Sequence, residues 1–444
     1  MLTEEDDETT FVYVYGFDED GNYDYCTTYI QVEFHQDCGT TGGNLSGVIM
    51  TEDNVTIQDV EVDLNGDMSM TMVTPIDGHF LFSNLNLGMD YSVTPYHNAD
   101  HSNGVTTFDI VKISQAILGV QPLDSPYKMI AADVNRSGTI TTLDLIQIRK
   151  VILNVDREFA NNTSWRFIPA DYVFPDPTNP WFEPFPEVFN VNDLAGNLEA
   201  NFVGIKIGDV NGSARANELD DDGRTLNGTF DLEMDELELK AGNTYTVPVY
   251  ASKVAEISGF QGTLQLSGVE LVDIVYGVAD AQHFGLQFAD QGVIMTSWDG
   301  QASQEEALFT LVLRATTDQT LSSAVQMTSR YTAAEAYSVG GEHRKLGLQF
   351  NGKAQVAEQF ELYQNTPNPV ANATLIGFYL PEAGEATLTI KDISGRTVLV
   401  RHAEYGAGYH TINLDRKELG AAGVLTYTLK SGEYTATKQM VVVK

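Results

Sequence analysis

Two stretches of the chain carry the same oxygen-bearing residues at the same spacing. Asn98 to Leu118 reads NADHSNGVTTFDIVKISQAIL and Asp133 to Leu153 reads DVNRSGTITTLDLIQIRKVIL, at a fixed offset of 35 residues. Side-chain oxygens fall at positions 1, 3, 5 and 12 of each copy: Asn98, Asp100, Ser102 and Asp109 in the first, and Asp133, Asn135, Ser137 and Asp144 in the second. A hard divalent cation such as Ca2+ needs six to eight oxygen ligands on a tightly turned loop. Alternate side chains, a backbone carbonyl at position 7 (Gly104, Thr139) and a carboxylate at 12 supply them. Gly138 permits the sharp turn at position 6 of the second copy. In the first copy Asn103 holds that place and glycine has slipped to 7, but asparagine tolerates left-handed geometry. Ordinary turns and helix caps also favour Asp and Asn. The recurrence of four ligand positions, an apolar position 8 (Val105, Ile140) and the residues that follow argues for metal loops instead.

The elements that must hold these loops are legible next. Ile110, Ile113, Ile117 and Leu118, and again Leu145, Ile148, Ile152 and Leu153, give each copy one apolar helical face. Position 12 is Asp, shorter than the Glu of a full EF-hand, which points to a single exiting helix per loop. Asp209, Asn211 and Ser213 imitate the opening of a third loop, although Ala214 stands where its glycine should be. Paired loop-helix units of this form resemble a type I dockerin. The segments SPYKMIAADVN, WRFIPADYVF and KIGDVNGS resemble a dockerin variant of secreted Bacteroidetes proteins, in which an aromatic insertion precedes a returning strand. The expected module covers residues 97–215, with the insertion at 156–205.

Composition narrows the partners. Twenty-five basic against 62 acidic residues give a net charge of -37, which repels nucleic acid and anionic lipid and favours divalent cations. No run of apolar residues is long enough to span a membrane. The acidic start lacks the pattern of a signal peptide, so an exported chain is expected to be the C-terminal part of a longer polypeptide. The only two cysteines, Cys26 and Cys38, are spaced for a disulfide closing a strand and turn, or for two thiols kept reduced inside a cell.

Outside the loops the chain reads as mainly β and multi-domain. Residues 1–42 alternate as a hairpin around Asp20-Gly21-Asn22 and resemble the end of a hyalin-repeat-like domain. Residues 43–96 show four short strands and resemble a carboxypeptidase-regulatory-like or Cna-B-type sandwich, a spacer module without catalytic residues. The span 161–199 is rich in proline and aromatics, which argues for an irregular but packed loop. Residues 225–355, with YTVPVYA, ISGFQGTLQL and EALFTLVLRAT, are similar to the cohesin or carbohydrate-binding jelly-roll class.

Residues 358–444 open on LYQNTPNP and continue through DISGRTVLV to a terminal KQMVVVK. They closely resemble the type IX secretion sorting domain, a compact immunoglobulin-like sandwich. That resemblance implies recognition by the type IX machinery and a secreted or outer-membrane cell-surface location.

Eight histidines are scattered, with no HExxH, GxSxG or phosphate loop, and Asp220-Asp221-Asp222 reads as a solvated charge run. A non-enzymatic scaffold or adhesion protein is therefore expected. The alternatives are the tail of a larger secreted hydrolase, and a polysaccharide-binding protein for which Trp298 and Tyr276 are the candidate platforms. Dockerin-like and cohesin-like modules in one chain predict a contact within or between chains, with Lys112, Gln115, Arg149 and Lys150 facing the acidic sandwich.

Overall fold

The computed structural model describes residues 9–17, 23–31, 42–217, 226–251, 256–301, 306–350, 353–354, 360–365, 368–406, 408–420 and 422–443. The fold is mainly β, with several sheets in multiple domains and few, short helices. At the N-terminus, strands Thr9–Phe17 and Tyr23–Gln31 pair antiparallel, as the alternation predicts. Cys38 lies outside the described residues, so the disulfide expectation does too, as do the turn Asp20-Gly21-Asn22 and the acidic run Asp220-Asp221-Asp222.

The first sandwich is not closed by residues 43–96. Strand Gly42–Met50 pairs antiparallel with His79–Asn86, but on its other side it takes Leu198–Glu199 and Phe202–Lys206 in parallel. Phe202–Lys206 in turn pairs with Trp165–Pro169. The opposing sheet runs Met70–Val73, Glu61–Gly66, Tyr91–Tyr96 and Phe189–Val191. The expected boundary at residue 96 is therefore not a boundary of the sheets. The aromatic insertion contributes strands, and Trp165, Phe167 and Phe202 bury themselves with Leu45, Val62 and Phe82 in one core. The five short strands of residues 42–96 leave both sheets incomplete, and the chain returns from the helical segment to extend them.

The helical segment is set into this sandwich. Helices α1 (Thr107–Ile117), α2 (Pro126–Ala132) and α3 (Thr142–Ile152) enclose Ile110, Ile113, Ile130, Ile148 and Ile152 with Ile168, Ile205 and Ile207 from the returning strands. The predicted face of α1 is correct at Ile110 and Ile113. Leu118, which sits past the last helical turn, is 73 % exposed. Around Phe174 the insertion is irregular but packed, with edge-on Tyr127 at 5.5 Å and Tyr172 at 5.1 Å.

The second sandwich sets a sheet containing Ile257–Leu266, Val293–Asp299, Glu335–Ser338 and His343–Phe350 against the three strands Thr244–Val249, Phe309–Ala315 and Val269–Tyr276. The C-terminal sandwich packs a three-stranded on a four-stranded sheet. The Tyr427 hydroxyl donates to the Tyr363 carbonyl and accepts from Asn365 N–H, pinning the entry segment. Ser394-Gly395-Arg396 forms a turn between strands, with Gly395 at φ 84°. No helix among the described residues is long and apolar enough to cross a membrane.

Candidate metal loops and the face they organise

The second loop closes on its own segment through hydrogen bonds. Asp133 accepts from Ser137 N–H at 2.8 Å and Gly138 N–H at 2.7 Å, and the Ser137 hydroxyl donates to the Thr139 carbonyl at 3.1 Å. Asp144 accepts from Asn135 N–H at 3.3 Å through one oxygen and from Thr141 N–H at 2.9 Å through the other. That second bond caps α3, so the position-12 carboxylate serves loop and helix together. Asp133 and Asp144 are buried, and Asn135 Oδ1 is buried with no hydrogen-bond partner. A buried carbonyl oxygen left unpaired is costly unless something else meets it.

The first loop assembles differently. Asp109 caps α1 through the Thr106 N–H and hydroxyl, both at 2.9 Å, in the way that Asp144 caps α3. Its other oxygen, however, accepts from Val210 N–H at 2.9 Å, across 101 residues of chain. Asp209 accepts from Gly212 N–H at 2.8 Å and Ala214 N–H at 2.7 Å, and the Ser213 hydroxyl donates to the Gly104 carbonyl at 2.9 Å. The Ala214 N–H and Ser213 hydroxyl bonds match those of Gly138 and Ser137 in the second loop, with Asp209, Asn211 and Ser213 standing where Asp133, Asn135 and Ser137 stand and Gly104 where Thr139 stands, while Ser213 N–H donates to Asn211 Oδ1 at 3.0 Å. The loop is in two pieces. Because the chain leaves it after Ala214, no left-handed residue is needed at the sixth position, which removes the objection raised by the missing glycine. Gly104 (φ 73°) lies so close to Ala214 that a Cβ on it would fall 2.4 Å from the Ala214 backbone.

Asn98, Asp100 and Ser102 have other partners. Asn98 Oδ1 accepts from Ser164 N–H at 2.8 Å, and Asp100 accepts from the Ser102 hydroxyl at 2.9 Å. No hydrogen bond among the described residues joins these three to Asp109. The expected first-loop ligand set is corrected accordingly: the turn from Asn98 to Ser102 is tied to the segment before strand Trp165–Pro169, and Asp109 faces the segment that follows the returning strand.

Electrostatics single out the split loop. Burial, followed by the neighbouring Asp209 carboxylate, pushes Asp109 up to about 8, and burial also raises Asp209. Burial brings the adjacent Lys206 ammonium down to about 8 against the pull of Asp100, Asp209 and Asp109. Burial raises Asp144 in the second loop as well. Desolvated carboxylates resist ionisation unless a cation stands beside them, and a divalent ion reverses that balance. Among the described residues no three His, Cys, Asp or Glu side chains gather as a metal cluster. Each loop instead offers two carboxylates with neutral amide, hydroxyl and carbonyl oxygens, a donor set suited to calcium.

The helices that leave the loops lie on the outer face of the second sandwich. Thr107 N–H donates to Gln261 Oε1 at 2.7 Å, and the Thr107 and Ser297 hydroxyls are 2.7 Å apart. Phe108 stacks on Tyr337 at 5.3 Å, and Arg149 pairs with Asp299. Of the four residues expected at this face, Arg149 makes an ion pair there. Lys150 pairs with Asp156, Lys112 Nζ sits over the Phe108 ring at 4.9 Å, and the Gln115 carbonyl caps the end of its own helix. Trp298 is corrected as a sugar platform: it is 2 % exposed and stacked on Phe260 at 5.4 Å inside the core. Tyr276 is exposed.

No family model and no curated protein matches the chain. Among solved structures, a type I cohesin from Pseudobacteroides cellulosolvens is similar at 11 % identity and TM-score 0.21, over 31 % of this chain and 98 % of that one. BcpA, the major pilin subunit of Bacillus cereus, is similar at 8 % identity and TM-score 0.19, over 90 % of this chain and 97 % of that one. The Bacillus anthracis TIE protein is similar at 8 % identity and TM-score 0.19, over 98 % of this chain and 58 % of its own length. These are distant likenesses to β-sandwich proteins.

Proposed function

We propose that the chain is a non-catalytic, calcium-stapled scaffold or adhesion protein of the cell surface, whose C-terminal sandwich is a type IX export address. The observation that carries the calcium reading is a set of three bonds shared by two oxygen-lined loops, from the sixth-position N–H to the first-position Asp, from the Ser hydroxyl to the seventh-position carbonyl, and within the Thr–Asp helix cap, with Asn135 Oδ1 buried and unpartnered in one of them. In this reading Asp133, Asn135, Ser137, the Thr139 carbonyl and Asp144 hold one ion. Asp209, Asn211, Ser213, the Gly104 carbonyl and Asp109 hold the other. Calcium supplies the positive charge that the buried carboxylates of each loop call for, and it ties helix N-termini to the strand ends that share their core.

Calorimetry of the chain in saturating calcium against chelator tests this. A ligand at a hundredfold excess over its Kd stabilises by about 2.7 kcal/mol per site, so the melting transition that includes the helices is expected to rise by several degrees. An unchanged transition ends the calcium reading.

A further inference from the structure

The turn from Asn98 to Ser102 carries the oxygens of an ion loop, yet hydrogen-bond donors of the chain meet them. Asn98 Oδ1 accepts from Ser164 N–H at 2.8 Å, the Asp100 carbonyl from the Ser164 hydroxyl at 3.3 Å, and the His101 carbonyl from Lys206 Nζ at 3.0 Å. Lys206 ends the returning strand Phe202–Lys206, and its ammonium also donates to the Ile207 carbonyl at 3.3 Å. One of the donors at this turn is therefore itself a cation.

That lysine is 5 % exposed, and both of its hydrogen bonds go to neutral carbonyls. A buried ammonium held in this way is costly unless acids stand close by. Asp100, Asp209 and Asp109 supply that field, and Lys206 lines one small cavity together with Asp209. Three acids against one lysine leave two negative charges, the complement of one divalent ion. In the second loop Asp133 and Asp144 leave the same two charges, because its basic residue, Arg136, pairs with Glu187. The two loops differ in what surrounds the ion's seat. Lys206 bears directly on Asp209, a member of the split loop, whereas Asp100 acts on Lys206. A fixed positive charge that shares an acid with a divalent ion opposes that ion's entry.

We propose that Lys206 is a built-in cation: it takes the place of a metal ion at the turn from Asn98 to Ser102 and, by sharing Asp209, holds the calcium affinity of the split loop below that of the second loop, so that the two loops fill in sequence. The proposal rests on the calcium reading for its ligand, and on the hydrogen bonds and burial of Lys206 for its mechanism.

Isothermal titration of the intact chain with calcium tests it. The wild type is expected to show a tight and a weak site about tenfold or more apart, the weak one being the site that Asp209→Asn removes. Lys206→Met is expected to tighten the weak site by about tenfold and to leave the tight one unchanged. A lysine that served packing alone would weaken binding when lost. Asp100→Asn, which leaves Lys206 less compensated, is expected to weaken the same site. Thermal melts in chelator check that each variant folds, and if Lys206→Met does not, Asp100→Asn decides. A split site unchanged or weaker in Lys206→Met, or unchanged or tighter in Asp100→Asn, overturns the built-in cation and leaves the calcium reading standing. Two equal sites in the wild type overturn it as well, and a wild type that binds no calcium ends both.

Discussion

Asp109 is bonded on one side to the cap of its own helix and on the other to a backbone amide 101 residues away, so one carboxylate fixes both a helix start and a chain crossing. Asp144 does the first and meets only its own loop. The difference makes a prediction at single residues. Isothermal titration of the intact chain should find two calcium sites. Asp209→Asn should abolish or weaken one of them by more than about tenfold, since even the outer partners of metal ligands carry that much. Asn98→Ala and Ser102→Ala should leave both sites in place. Two sites retained in Asp209→Asn, or one lost in Asn98→Ala, would return the first loop to its contiguous form. The repeat made the residue types plain, and Asp209, Asn211 and Ser213 were visible as a fragment. Their partnership with Asp109 was not visible, because no spacing rule links residues that only a sheet brings together.

Helices α1 and α3 are eleven residues each, shorter than the roughly 12–15 that isolated helices need in water. They persist because their ends are capped and their faces are shared between two bodies, Ile110 and Ile113 inward and Phe108 and Val111 towards the second sandwich. The apolar period located the inward face, but Phe108 and Val111 read as off-pattern until their partner is seen. Strand Gly42–Met50 shows the same dependence: its partners on one side come from residues 198–206. A chain cut after residue 160 loses them, together with Trp165, Phe167 and Phe202 from the first core. It is expected to show collapsed amide dispersion by NMR and rapid proteolysis throughout 42–96. Native-like dispersion in that fragment would show that the five strands of residues 42–96 suffice alone.

Across the whole molecule, the described residues form four large apolar cores, one each for the first sandwich, the helical segment, the second sandwich and the C-terminal sandwich. The C-terminal core shares no residue with the others, and its strands alternate buried with more exposed residues. The proposed export role is tested there. Residues 350–444 fused to a periplasmic reporter should bring it to the cell surface of a type IX-competent host, and a reporter left in the periplasm would end that role.

From the order of residues alone came the mainly β character, the oxygen positions of the second loop, the strands of the second and C-terminal sandwiches, and the net charge of -37. All of these are local: alternation, helical period and ligand spacing are properties of short windows. Tertiary structure decided which strands close the first sandwich, which acid completes the first loop, and that Trp298 is core rather than platform. Each of those depends on contacts between segments far apart in the chain, and such contacts are settled by which faces can be buried together rather than by the residues nearest in sequence.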